Sequence, residues 1–383
     1  MKKLLICLLV ICAGCQYNVL DDSLSTDYKL DLKNINTEVD SLNRKLSIEA
    51  NEKDALRLVY HLYRYAGLSG DFEDYKKTEG TLQNTLNQYG SSQQSLLFRA
   101  NLNFKLHRLS KAKADLVRIA RNTDDIQVEV LKADIALQQG QYELAGQAYA
   151  ALSAENASWD NLARLAYFKM HTGEPEKADQ LYEQAQNTLS IKQMRHYAWL
   201  ELQRGIIDLE HNRYQLALGH YQRAEQAYSG YWLIREHIAE VYALLDRQDE
   251  SIALYKKIIE QTRNPEFISA LAELYQAENN PEANELYAQA DALFDKQYQL
   301  FPEAAVGHFV ESQLNRKQIN SKTLQYAIRN YEWRPNTQSR YLLAKAYQQV
   351  GNQTQAIELM QVVRRTPWRS RDIENLMMEL GME

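Results

Sequence analysis

Only three of the 383 residues are cysteine, at positions 7, 12 and 15, and no thiol follows Cys15. Beyond that point the chain has no disulfide framework, cysteine nucleophile or thiolate metal ligand. Glycine (14) and proline (6) are scarce as well, which excludes a hairpin-rich β fold and long flexible linkers. The eight histidines are scattered, none three or four residues from another. No HExxH, phosphate-binding glycine loop or GxSxG is present, so no catalytic class is indicated and the chain is expected not to be an enzyme. A net charge of -6 provides no electrostatic footprint for nucleic acid.

What the chain has in quantity is alanine, leucine, glutamate, glutamine and arginine, together with 25 tyrosines. These are residues for helices packed on helices. Internal similarity then sets a period. The segments Gln138–Leu152, His171–Ala185, Glu210–Ala224, Asp246–Ile259 and Gln349–Val363 share one pattern: a turn, a small residue early in a helix, and a large residue four further on. An amphipathic stretch precedes each, with its own small residue twelve before the later one. The pairs are Ala100 with Ala112, Ala133 with Ala145, Ala166 with Ala178, Gly205 with Ala217, Ala239 with Ser251, and Ala344 with Ala356. Their first members step by 33, 33, 39 and 34 residues, then by 105 across two weaker units placed near Ala272 and Glu311.

Two helices cross closely only where both lack bulk, so paired small residues mark a helix crossing. Tyr149, Tyr182, Tyr221, Tyr255 and Tyr287 lie one turn beyond, on the same helix face, where they can wedge between successive hairpins. Gly140, Gly173 and Gly351 fall where the chain reverses, and Pro175 and Pro281 start second helices.

A helix–turn–helix of about 34 residues with this pattern resembles the tetratricopeptide repeat. The resemblance covers roughly Ser92 to Arg369, with Asn51–Gly90 as a degenerate leading hairpin. It implies an all-α fold, a right-handed superhelical solenoid of about nine hairpins. It also implies a concave surface, lined by the first helix of each pair, that binds peptide segments or partner domains. On this register the concave residues are Asn101, Asp134, Tyr167, Trp199, Glu236, Glu240 and Lys345, with Phe104 and Met170 as apolar neighbours. Aromatics beside charges suit recognition, although Trp199 and Phe104 can equally be packed. A carboxylate clamp of the kind some of these repeats carry is incomplete, because Leu97 stands one turn before Asn101.

At the N-terminus, Lys2 and Lys3 precede the apolar run Leu4–Ile11, which is too short to span a bilayer, and Ala13-Gly14-Cys15 follows. This resembles the lipobox of bacterial lipoproteins, with Cys12 in a place usually held by an aliphatic residue. The resemblance implies cleavage before Cys15 and lipidation of its sulfur. Gln16 in place of aspartate then favours the periplasmic face of the outer membrane. An ordinary secretory signal or an uncleaved anchor is the other reading. The expected plan is a signal peptide over 1–14, a lipidated N-terminus and tether over 15–29, and N-terminal helices with the leading hairpin over 30–91. The repeat array follows over 92–370 and a helical tail over 371–383.

Leu32, Ile35, Val39, Leu42 and Leu46 form a helical stripe that either caps the solenoid or pairs two copies as a homodimer. Glu236, His237 and Glu240 share a helix side and could meet a metal, but a solvated face is the plainer reading; no metal or cofactor is expected. The basic run Arg364, Arg365, Arg369 and Arg371 reads as a cationic helix end or as a contact for anionic surfaces. Together these features predict a lipid-anchored periplasmic scaffold whose concave face binds protein or peptide partners in cell-envelope assembly or maintenance. The alternative is an accessory protein of an envelope enzyme that binds peptidoglycan or a metal directly.

Overall fold

The computed structural model describes residues 26–119 and 125–382. The expected signal segment, Cys15 and most of the expected tether lie outside the described residues. Among the described residues there are twenty helices and no strand. A lone helix, α1 (Asp27–Ile48), leads into nine antiparallel hairpins. These are α2 (Glu52–Ser69) with α3 (Phe72–Tyr89), α4 (Gln93–Lys105) with α5 (Leu109–Ile119), and α6 (Ile126–Gln138) with α7 (Tyr142–Glu155). Next come α8 (Trp159–His171) with α9 (Pro175–Asn187), α10 (Met194–Glu210) with α11 (Tyr214–Ala227), and α12 (Trp232–Leu244) with α13 (Gln248–Thr262). The last three are α14 (Pro265–Ala277) with α15 (Ala283–Leu300), α16 (Pro302–Asn315) with α17 (Ser321–Trp333), and α18 (Thr337–Gln349) with α19 (Gln353–Arg364). A final helix, α20 (Arg371–Glu379), ends the solenoid.

Local chemistry sets the helix starts. Ser92 and Ser95 form a reciprocal capping box on α4, and the Asn264, Asn320 and Asn336 side chains accept from backbone N–H groups of the first turns they precede. Pro175, Pro265 and Pro302 occupy first-turn positions, where a missing N–H breaks no helical bond.

The hairpins obey one internal ruler. Ala100, Ala166, Ala239, Ala272 and Ala344 are fully buried at their crossings, and Ala133 is nearly so. Gly205 is glycine for a direct reason: a Cβ there would lie 2.3 Å from the Tyr221 ring. Seven residues after each of these seven positions the backbone turns left-handed, at His107, Gly140, Gly173, Asn212, Asp246, Asn279 and Gly351. That turn reverses the chain and starts the second helix.

The same ruler corrects the eighth unit. Lys317 has φ 54, and seven residues back is Val310, which is fully buried, whereas Glu311 is exposed. The crossing residue of α16 is therefore Val310, one place before the expected Glu311. The N-terminal boundary also differs: α1 already begins at Asp27, capped by Thr26, and Tyr28 is buried, so the tether ends before residue 29. Of the stripe on α1, Ile35, Val39 and Leu42 are buried within the chain's own core and Leu32 and Leu46 pack beside them. The surface that would pair two copies is thus covered internally.

The superhelix closes on itself. Segments 159 to 229 residues apart, about five to seven periods, touch along the chain. The Tyr28 N–H donates to the Ser229 carbonyl (3.1 Å), and the Trp232 indole N–H donates to the Leu68 carbonyl (2.7 Å). Phe72 and Phe301 pack with ring centres 5.9 Å apart. The Thr337 N–H donates to the Tyr142 hydroxyl (2.8 Å), and the Arg369 N–H donates to the His171 carbonyl (2.7 Å). Trp368 stacks on His171 at 4.3 Å and on Tyr142 at 5.1 Å. Gly140 permits this approach, since a Cβ would lie 2.9 Å from the Pro335 carbonyl oxygen.

The register is testable by substitution. Lys317→Gly relieves a left-handed residue that carries a Cβ, and raises unfolding free energy by about 1 kcal/mol. Gly205→Ala drives a methyl into the Tyr221 ring and lowers it by ~1–3 kcal/mol. Urea titration reads both, and equal stability of either variant with the native chain would contradict the ruler.

Candidate functional site

The closure changes what a concave face means in this molecule. First helices point inward, but the inner surface is divided by contacts between successive superhelical turns. The expected binding residues consequently fall in separate places.

Three of them are engaged in holding the fold. The Asn101 amide donates to the Leu97 carbonyl on its own helix (2.9 Å). Asp134 accepts from the Tyr149 hydroxyl (2.8 Å) and from the Arg164 guanidinium (3.2 Å), which ties α6 to α7 and to α8. The Lys345 ammonium donates to the Tyr341 hydroxyl one turn away (3.2 Å). Of the apolar neighbours, Met170 is buried and Phe104 packs against the core of the α4/α5 hairpin. The basic run divides likewise: Arg369 donates to the Thr366 and Trp368 carbonyls, and Arg371 donates to the Asn212 side chain (2.6 Å).

Tyr167 remains 37% exposed. It lines a cavity of about 150 Å³ with Gln138, Asn330, Arg334, Asn336 and Trp368, and its ring stands edge-on to His171 at 4.6 Å.

Glu236 and Glu240 flank His237 on α12. The His237 Nδ1 lies 3.5 Å from a Glu236 oxygen and 3.3 Å from a Glu240 oxygen. Burial alone would lower the histidine pKa, but the field of the two carboxylates raises it to about 9. Burial, reinforced by Glu240 and Glu266, raises Glu236 to about 7 against the pull of His237. The three ligand atoms lie within 4.8 Å of one another, close enough for a cation. The raised His237 pKa favours a protonated ring beside these acids, and a metal would have to displace that proton. The donor set fits an internal ion pair better than a metal centre. A second pair continues the row: His308 Nδ1 lies 3.0 Å from Glu266, whose charge raises the histidine pKa.

Trp199, also 37% exposed, belongs to the most distinctive part of the interior. It lines a cavity of about 410 Å³ walled by rings: Tyr63 and Tyr75 from the α2/α3 hairpin, Trp159 from α8, His196 and Trp199 from α10, and Tyr228 and Tyr231 from the α11–α12 link. Trp159 packs on His196 at 4.5 Å and meets Trp199 edge-on at 6.2 Å. Among the described residues three cations join the wall, Arg64, Lys105 and Arg195, and no carboxylate does. Arg195 lies 3.6 Å from Asp31 of α1, whose carboxylate also accepts from Tyr228. Arg64 lies over the Tyr60 ring at 5.7 Å and has no acidic partner among the described residues. Lys105 has neither an ion pair nor a hydrogen bond among the described residues. Water reaches its side chain, yet protein surrounds it on the longer scale. That desolvation holds its pKa below the ordinary lysine value.

Of this chamber only Trp199 was named from the sequence. Lys105 ends the first complete repeat helix, and its inward position was open to inference from the register. Tyr63 and Arg64 lie on the degenerate hairpin, and Tyr228 and Tyr231 lie between repeats. They join the wall only because α1 and α2 dock beside α10 and α12.

The docking of the C-terminal segment should respond to acid. Burial against Trp368 lowers the His171 pKa to about 4, while the unfolded chain titrates near 6.5. Between these values the unfolded state binds more protons, so His171 makes stability fall as pH drops from 6.5 toward 4. His171→Phe keeps the stacked ring and removes the titration. The difference in unfolding free energy between pH 7 and 4.5 should shrink in that variant, and an unchanged difference would contradict the buried neutral ring.

No protein-family model matches the chain, and no curated protein matches it. Among solved structures it is similar to the human IFIT1 dimer with m7Gppp-AAAA, at 13% identity and TM-score 0.47, over 94% of this chain and 86% of that one. It is similar to yeast Tom70 at 15% identity and TM-score 0.36, over 91% and 92% of the two chains. It is similar to pilF of Pseudomonas aeruginosa at 19% identity and TM-score 0.36, over 66% and 96%. Identities below 20% and TM-scores below one half leave the fold resting on the chain's own hairpins.

Proposed function

We propose that the protein is a non-catalytic binding scaffold whose inner surface holds a segment of a partner. The observation that carries this reading is the ring-walled chamber. Trp199 stays half-exposed there, and Arg64 and Lys105 line the same wall with no acidic partner among the described residues. A fold gains nothing in stability from two unpaired cations placed on one cavity wall, so their placement favours use by a ligand. The acid–histidine row of the interior is paired internally.

The lipobox-like opening supports a location for this activity. With a lipid on Cys15, the scaffold would work at a membrane, on the periplasmic face of the outer membrane by the Gln16 criterion. Tethering raises the effective concentration of partners within reach toward ~mM. Cell-envelope assembly or maintenance is the setting that this location fits.

One experiment separates the two halves of the proposal. Native chain, Cys15→Ser and Trp199→Ala with Lys105→Ala are each expressed in a Gram-negative host, fractionated, and used for affinity capture from solubilised envelopes. The account expects Cys15→Ser to leave the membrane fraction while the inner-surface variant stays there and loses a protein that the native chain retains. A Cys15→Ser chain still sedimenting with outer membranes would refute the anchor. Identical captured proteins from native chain and inner-surface variant would refute the scaffold surface.

A further inference from the structure

The chamber is selective in its chemistry. Its wall is rich in aromatic rings and offers Arg64, Lys105 and Arg195, and among the described residues it contains no carboxylate. Asp31 compensates Arg195, which leaves two cations without an acidic partner among the described residues. At about 410 Å³ the space suits a small molecule, or one large side chain with its neighbours, and not a folded domain. Indole and phenol rings take flat apolar bodies face-on or edge-on, whereas unpaired ammonium and guanidinium groups take an anion.

We infer that this chamber binds a small organic anion, a flat aromatic or conjugated body bearing a carboxylate, with its body between Trp159, Trp199 and Tyr231 and its charge toward Arg64 and Lys105. The inference rests on reading the interior as a binding surface and assigns the ligand class to it. A neutral body of the same shape would leave both cations uncompensated, and an ammonium would meet like charge. Each therefore binds more weakly than the acid. The anion would also restore to Lys105 the stabilisation of its charged form that partial burial removes.

The source of such a group is either a free aromatic acid or the last residue of a peptide, and the same titration distinguishes them. The full chain with Cys7, Cys12 and Cys15 changed to serine is titrated with 2-naphthoate, 2-naphthalenemethanol and 2-naphthylmethylammonium. A parallel series uses N-acetyl-Gly-Gly-Trp as free acid and as amide. Calorimetry gives the affinities, and tryptophan quenching reports on Trp159 and Trp199. Naphthoate should bind one to one, at least tenfold more tightly than the alcohol, with the ammonium weakest, and its affinity should fall as salt rises.

Lys105→Met and Arg64→Met should each weaken naphthoate about tenfold and leave the alcohol unchanged, which a general loss of structure would not do. Trp199→Ala should weaken the acid and the alcohol together. Tighter binding of the tripeptide acid than of naphthoate assigns the group to a peptide end, and the reverse order assigns it to a free acid. Equal affinity for the three naphthalenes, no binding of any of them at millimolar concentration, or naphthoate binding unchanged in both methionine variants would overturn the inference. Those outcomes leave the capture experiment untouched, because a partner that contacts other parts of the inner surface would still be retained.

Discussion

The structure depends on one short-range constraint, the close crossing of two helices at a residue with little or no side chain, followed seven residues later by a left-handed turn. The first part sets the distance between the helices of a hairpin, and the second sets where the chain reverses. Repeated through seven units, with Val310 in the small residue's place in one more, the pair fixes how each hairpin rotates on the last. The accumulated rotation brings segments 159 to 202 residues apart into hydrogen-bonding distance. Tyr149, Tyr182 and Tyr221 serve the same end. Fully buried one turn beyond the small residues, they fill the wedge between neighbouring hairpins and hold the rotation constant.

Closure then gives the interior its electrostatics. α12, α14 and α16 contribute an acid–histidine row whose charges largely satisfy one another, with Glu236 to His237 and Glu266 to His308. α2, α4, α8 and α10 contribute rings and cations, and among the described residues only Arg195 of those cations has an acid close by. The first set is built like structure and the second like a receptacle. An open solenoid would expose both to bulk water, where the surrounding protein that lowers the Lys105 pKa would be lost.

The all-helical class, the nine hairpins and the crossing residues were legible in the sequence because they rest on local spacing. So was the burial of the tyrosines, which follows from their position four residues past a small residue. The eighth unit misled by one place, since Val310 is not small and only the backbone turn at Lys317 marks the register. The candidate site was legible only in part. Trp199 and Tyr167 were expected on the concave face and are each 37% exposed, whereas Asp134 and Asn101 are engaged by their own neighbours. The partners of Trp199 in the chamber, Tyr63, Arg64 and Tyr231, come from elements far apart in the chain. Their meeting depends on a summed superhelical rotation that no single repeat encodes.

The central claim is that the solenoid closes, and an engineered crosslink tests it most directly. In the chain with Cys7, Cys12 and Cys15 changed to serine, Asp27→Cys and Ser229→Cys place thiols at residues whose native side chains meet at 2.7 Å, beside the Tyr28-to-Ser229 backbone bond of 3.1 Å. The account predicts near-complete intramolecular disulfide formation under mild oxidation of dilute protein, read as a mobility shift that reductant reverses. A chain that stays reduced under those conditions, or that crosslinks only between molecules, would show that the first helix does not dock on the middle of the array.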